Sequence, residues 1–220
     1  MKLARLHHHA NSEPYWHVYA AVILAIGLQL IPSSQLSVGP KYLIAGLEVL
    51  LLVALMVSST SQHMSVRRAR RALAIVFVAI ISIVNLSSLA LIINDILVAK
   101  QVSGQELLLS GVAVYLTNII IYGIWYWELD NNGEQDDPAA ARPTDFLFPQ
   151  TSMPASALRN KRWGPTFFDY LYVSITNASA FSPTDTLPLT HRIKLLMTIQ
   201  SLTSLLTVAL VAARAVNILS

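Results

Sequence analysis

The sequence predicts an all-α protein, a polytopic transmembrane helix bundle, and three observations predict it. Of its 220 residues, 54% are hydrophobic and only 12% charged, with a mean hydropathy of +0.54, whereas a soluble domain has about a quarter of its residues charged. Apolar runs close to the ~20 residues that a helix needs to cross hydrocarbon recur along the chain. The formal charge of +3 sits mostly in the connections, where it reports orientation rather than affinity for nucleic acid. The length suits one bundle of five or six helices, so residues 1–220 are expected to form a single transmembrane domain. With no cysteine, disulfides, thiolate nucleophiles and zinc–thiolate sites are excluded.

Six hydrophobic segments are expected, at 16–31, 42–58, 72–97, 107–127, 166–182 and 193–218, the fifth short and polar. The polar lead before them carries Lys2, Arg5 and the adjacent histidines His7, His8 and His9. Helical metal ligands need a spacing of about three or four, so this run is expected to be a solvated tail and no metal site is assigned. The first segment lacks a small-residue cleavage site after it and is expected to remain as a span, with Trp16 and Tyr19 at the interface and Pro32 at its end. The second carries Glu48 near its middle. An acid at that depth costs about 2.5 kcal/mol or more unless it faces the bundle interior, pairs or takes up a proton. A proton or cation contact and a protonated acid bonded between helices both fit it.

Arg67, Arg68, Arg70 and Arg71 fall in the next connection. A basic cluster binds anionic lipid heads in some proteins, but its commoner meaning is a cytoplasmic side. Loops 59–71 and 128–165 are therefore expected in the cytoplasm, together with the amino terminus. Ser82, Asn85 and Ser88 recur every three residues on the third segment, and Gly111, Tyr115, Asn118 and Tyr122 share a stripe on the fourth. Stripes of this kind usually tie helices together, at about 0.6 kcal/mol per contact, and sometimes line a path. Trp125, Tyr126 and Trp127 read as an aromatic belt closing the fourth segment. The long loop that follows is acidic and proline-bearing in its first half, and its D-F-L-F-P-Q stretch reads as an interfacial element. The last segment aligns Gln200, Thr203, Thr207 and Arg214 on one side, with Lys194, Met197, Ser201 and Ser204 in the next row, as expected of a helix inside the bundle.

Between the long loop and the last segment lies W-G-P-T-F-F-D-Y-L-Y-V-S-I-T-N-A-S-A-F-S-P-T-D-T-L-P-L-T. It opens with an aromatic cluster, turns small and polar, and breaks at Pro183 and Pro188. Such a half-polar segment at membrane depth is tolerated only where protein or a water-filled cavity surrounds it. From Asp169 onward it resembles the pore helix, filter and post-filter turn of the potassium-channel superfamily. Asp185-Thr186-Leu187-Pro188 matches the turn, whereas Ala180, Phe181, Ser182, Pro183 and Thr184 stand where T-V-G-Y-G is expected. Potassium is coordinated there by rings of backbone carbonyls whose conformations glycine supplies, so a potassium-selective filter is not implied. Over nearly its whole length the chain also resembles a family of bacterial integral membrane proteins of unknown function with a degenerate, channel-like end. That likeness implies the architecture and a location in the inner cell membrane, and carries no activity. Thr166 to Ser182 is just long enough for a protein-shielded crossing, which gives six spans with both termini inside. Five spans with a re-entrant helix is the alternative, and it leaves His191, Arg192 and Lys194 on the cytoplasmic side.

Two functions follow from this. One is a small, oligomeric pore or carrier for ions or small solutes, its path lined by Asp169, Asn177, Ser179 and Asp185 with Glu48, Asn85 and Asn118. The other is a non-transporting membrane scaffold, a decayed channel fold whose polar residues hold helices together. Enzymatic chemistry is not expected, because His17, His63 and His191 are isolated and no serine sits in a G-x-S-x-G setting. The expected partners are the lipid bilayer, ions or small solutes and further copies of the chain; no cofactor is assigned.

Overall fold

Helices form wherever the apolar runs lie, and their ends carry local chemistry that sets them. The computed structural model describes residues 16–32, 36, 40–58, 64–98, 103–130, 144–154, 156–158, 163–179 and 186–219. Six α-helices occupy them: α1 (Trp16–Gln29), α2 (Lys41–Ser58), α3 (Met64–Val98), α4 (Gly104–Asp130), α5 (Phe167–Ala178) and α6 (His191–Leu219). A 3-10 turn at Pro149–Ser152 and two short strands, β1 (Phe146–Leu147) and β2 (Leu187–Pro188), complete the described elements. Stretches within α3, α4 and α6 are long and apolar enough to cross a membrane; α1 and α2 are apolar but shorter.

The arginines expected in a loop lie instead on the first turns of α3, which begins at Met64. Arg and Ala are strong helix formers, and nothing in R-R-A-R-R-A interrupts the hydrogen-bond ladder. The start of α4 is a capping box: Glu106 accepts the Ser103 backbone N–H at 3.3 Å, and the Glu106 N–H donates to the Ser103 hydroxyl at 3.2 Å.

At the centre stands α4, buried continuously from Ile120 to Ile124 and again at Tyr126 and Trp127. A helix apolar on all sides has no solvent face to spend, so it is surrounded. Helices α1, α3, α5 and α6 pack around it, and α2 joins through α1 and α3. The outward faces are apolar as well: Leu43, Leu50, Leu195, Leu202 and Leu205 are all exposed. Apolar surface on this scale requires hydrocarbon or another protein against it, and with three helices long and apolar enough to cross a membrane it is compatible with a helical membrane protein.

One cavity fixes which helix ends lie together. Val18 at the start of α1, Leu55 near the end of α2, Arg70 and Arg71 near the start of α3, and Glu128 near the end of α4 all line it. This is the arginine end of the bundle, and Asp130 closes α4 there. The side chain of Asp130 accepts the backbone N–H of Asp145, and β1 pairs antiparallel with β2 in the register Phe146↔Pro188 and Leu147↔Leu187. Tyr170, in the first turn of α5, donates its hydroxyl to Asp130 at 2.7 Å. The segment around α5 therefore starts at the arginine end and is back at that end by Leu187. In between, Ser174 reaches the carbonyl of Ile119, eleven residues before Asp130, which is about 16 Å along α4.

Candidate functional site

The polar groups of α4, α5 and α6 meet where α5 reaches its greatest depth. Gln200, fully buried on α6, is the hub. Its amide donates to the carbonyl and the hydroxyl of Ser174 at 3.0 and 2.7 Å. Its oxygen accepts from the Tyr126 hydroxyl at 2.5 Å and from the Asn177 amide at 2.7 Å. Asn177 also donates to the carbonyl of Met197 at 2.9 Å, and the Ser201 hydroxyl donates back to its side-chain oxygen at 3.1 Å. One turn further along α6, Ser204 accepts the amide of Asn118 at 2.8 Å. Each member is satisfied by another, which is the condition under which a polar cluster is stable away from water. Close approach makes it possible: a Cβ at Gly123 would lie 3.2 Å from the Cα of Leu171, so α5 rests directly on the backbone of α4.

A second cluster clasps the arginine end. Asp145 is almost fully buried and accepts from the guanidinium of Arg192 through both carboxylate oxygens and from the hydroxyl of Thr190. Its own carbonyl accepts the N–H of Leu189 at 2.8 Å. Strand alternation turns Phe146 and Phe148 inward and Leu147 outward. The ring of Phe146 sits edge-on to Tyr126 and Tyr170, at 5.3 and 6.0 Å between centroids, and Phe148 packs edge-on to Tyr170 at 5.3 Å. The D-F-L-F stretch is thus core rather than the interfacial element expected, because its aromatic rings find partners on α4 and α5.

The residues expected along a path distribute unevenly between these clusters. Asn177 belongs to the network around Gln200, and Asn118 bonds to Ser204 one turn further along α6. Asp169 lies outside it, half-buried in the first turn of α5; its carboxylate accepts the N–H and hydroxyl of Thr166 at 2.7 and 2.8 Å and so caps the helix. Ser179 bonds back to the carbonyl of Ile175 at 2.8 Å. Asn85 is buried on α3, and Glu48 is fully buried on α2. Gln29 of α1 is the polar neighbour of Glu48, and neither side chain completes a hydrogen bond among the described residues. Asp185 and the filter-equivalent positions Ala180, Phe181, Ser182, Pro183 and Thr184 lie outside the described residues. Arg70 and Arg71 line the cavity at the arginine end, and Arg67 and Arg68 precede them on α3.

Sequence reasoning missed three participants. Tyr126 was expected in an interfacial belt, yet it is fully buried and bonded to Gln200, while its neighbour Trp125 donates to Ser82 at 3.0 Å. Asp130 was expected in the acidic half of the long loop and Asp145 in the D-F-L-F-P-Q stretch read as interfacial; the signal for both was an acid set close to aromatic residues. Among the described residues no group of three or more His, Asp or Glu side chains is placed to hold a metal ion.

Compared with models of protein families, with curated proteins and with solved structures, the chain matches none. What the fold and site define by themselves is a class: an all-α protein with three helices long and apolar enough to cross a membrane, two of which, α4 and α6, pack against α5.

Proposed function

We propose that this chain is a subunit of a small oligomeric membrane conduit for ions or small solutes, with five crossings and α5 as a re-entrant half-helix. The observation that carries this reading is the placement of α5: both its flanks lie at the arginine end, while its last residues contact Met197 and Ser201 well inside the bundle. Re-entry takes the place of the sixth crossing expected from length. It puts Arg67 to Arg71, Arg192 and Lys194 on one side, the cytoplasmic one by the charge rule, with the amino terminus there and the carboxyl terminus opposite. The carbonyl end of a helix carries about half a negative charge, so half-helices from several copies converging at mid-depth favour a cation. Within one chain Asn177 and Gln200 are committed to each other and Asn118 to Ser204, so the path runs between copies.

The same completeness of hydrogen bonding favours a second reading, a non-transporting scaffold in which α5 is only a tie. Because the chain has no cysteine, a single thiol separates the two. Purified Ser179→Cys protein in vesicles is expected to pass monovalent cations above protein-free vesicles, and an impermeant thiol reagent is expected to reduce that flux from one side only. No flux, together with a thiol unreactive from both sides, overturns the conduit and leaves the scaffold.

A further inference from the structure

The cavity at the arginine end lies between α1, α2, α3 and α4, apart from the polar network and from α5. Its volume is about 50 Å³, a fraction of the ~150 Å³ engineered cavity that stays dry and takes up one benzene. Its inner lining is apolar, with Val22, Leu52, Phe77 and Val78. One to two turns toward the helix ends on the same α3 stand Arg70 and Arg71, and Glu128 and Tyr19 complete the outer part. The Nε of Arg71 is buried there and has no hydrogen-bond partner among the described residues. A guanidinium presents a fork of donors suited to a phosphate. An apolar recess of a few carbons beneath two such groups, at the end of a membrane bundle, has the polarity sequence of a phospholipid: phosphate outside, first acyl carbons inside.

We propose that this cavity binds an anionic phospholipid, its phosphate on Arg70 and Arg71 and the first carbons of one acyl chain in the recess beneath. The negative headgroup is specified by charge. Among the described residues that line it, two guanidinium groups face the one carboxylate of Glu128, and each basic residue near an anionic surface contributes about fivefold in affinity. The recess distinguishes this site from a loose basic patch, because it gives the lipid a fixed depth and orientation.

The test is retention of lipid by the full-length protein extracted from mixed vesicles of phosphatidylglycerol and phosphatidylcholine with identical chains, read by native mass spectrometry. Wild type is expected to retain phosphatidylglycerol about fivefold or more over phosphatidylcholine. Arg70→Gln with Arg71→Gln should bring that ratio to about one, whereas Arg70→Lys with Arg71→Lys should keep most of it. Ala74→Leu, which fills the recess and leaves both arginines in place, should lower retention of phosphatidylglycerol with the helical circular dichroism unchanged. Free glycerophosphate at millimolar concentration should compete weakly, since it lacks the chain. The proposal is overturned if wild type shows no preference, if the glutamine pair or Ala74→Leu retains lipid as wild type does, or if glycerophosphate displaces the lipid. It is equally overturned if Arg67→Gln with Arg68→Gln abolishes the preference and the Arg70/Arg71 pair does not.

Discussion

Replacing Gln200 with leucine removes the hub of the buried network while keeping the side-chain volume close. Four hydrogen bonds converge on that one amide, two given to Ser174 and one received from each of Tyr126 and Asn177. Interhelical hydrogen bonds in membrane proteins average about 0.6 kcal/mol, so four amount to about 2.5 kcal/mol. The Tyr126 hydroxyl and the Asn177 amide also lose a buried acceptor, which adds about 1 kcal/mol at the lower end for such groups. Gln200→Leu is therefore expected to lose about 3.5 kcal/mol of stability. Unfolding of the purified protein in mixed micelles by added dodecyl sulfate, followed through the near-ultraviolet signal of its aromatic residues, reads that difference. Leu202→Ala, on the exposed face of the same helix, should change little by comparison. On the Gln200→Leu background Tyr126→Phe should cost less than on wild type, because the two residues share one bond. A Gln200→Leu protein within about 0.5 kcal/mol of wild type, the range of an ordinary surface change, would refute the assignment of this residue as the tie between α4, α5 and α6.

Gly123→Ala should destabilise by about 1–3 kcal/mol, since its Cβ meets the Leu171 backbone, whereas Gly46→Ala, open on α2, should be neutral or slightly stabilising in the same titration. Asp145→Asn should cost about 2 kcal/mol through the weakened Arg192 and Thr190 contacts, with the loss visible as faster proteolysis between residues 144 and 190. Asp169→Ala removes a helix cap and should lower stability by about 1 kcal/mol while leaving any ion flux per folded protein unchanged. Single cysteines at Ser152 and Leu187 should both react with an impermeant reagent from the same side of sealed vesicles; labelling from opposite sides would establish a crossing at α5 and remove re-entry.

The long helices were legible because twenty apolar residues in a row admit few other fates, and α3, α4 and α6 lie where those runs predict them. The course of α5 was not, since its length allows a crossing and a return alike. The proposed return rests on the bond from Tyr170 to Asp130, forty residues away in sequence, and on the pairing of β1 with β2 across a similar distance. Local chemistry misled at Asp169: Thr166-Phe-Phe-Asp169 has the spacing of a capping box, yet an acid at the mouth of a polar segment invites a role in conduction. Tyr126 misled for the opposite reason. Between two tryptophans it looks interfacial, and only the partner on α6 reveals the direction in which it points.

The order in which the bonded partners occur along the chain bears on how the protein matures. Gln200, Ser201, Ser204 and Arg192 all belong to α6, so Tyr126, Asn118, Asn177 and Asp145 wait for these partners until synthesis has passed residue 204. A nascent protein stalled earlier carries those unmet donors and acceptors into lipid, where each is costly.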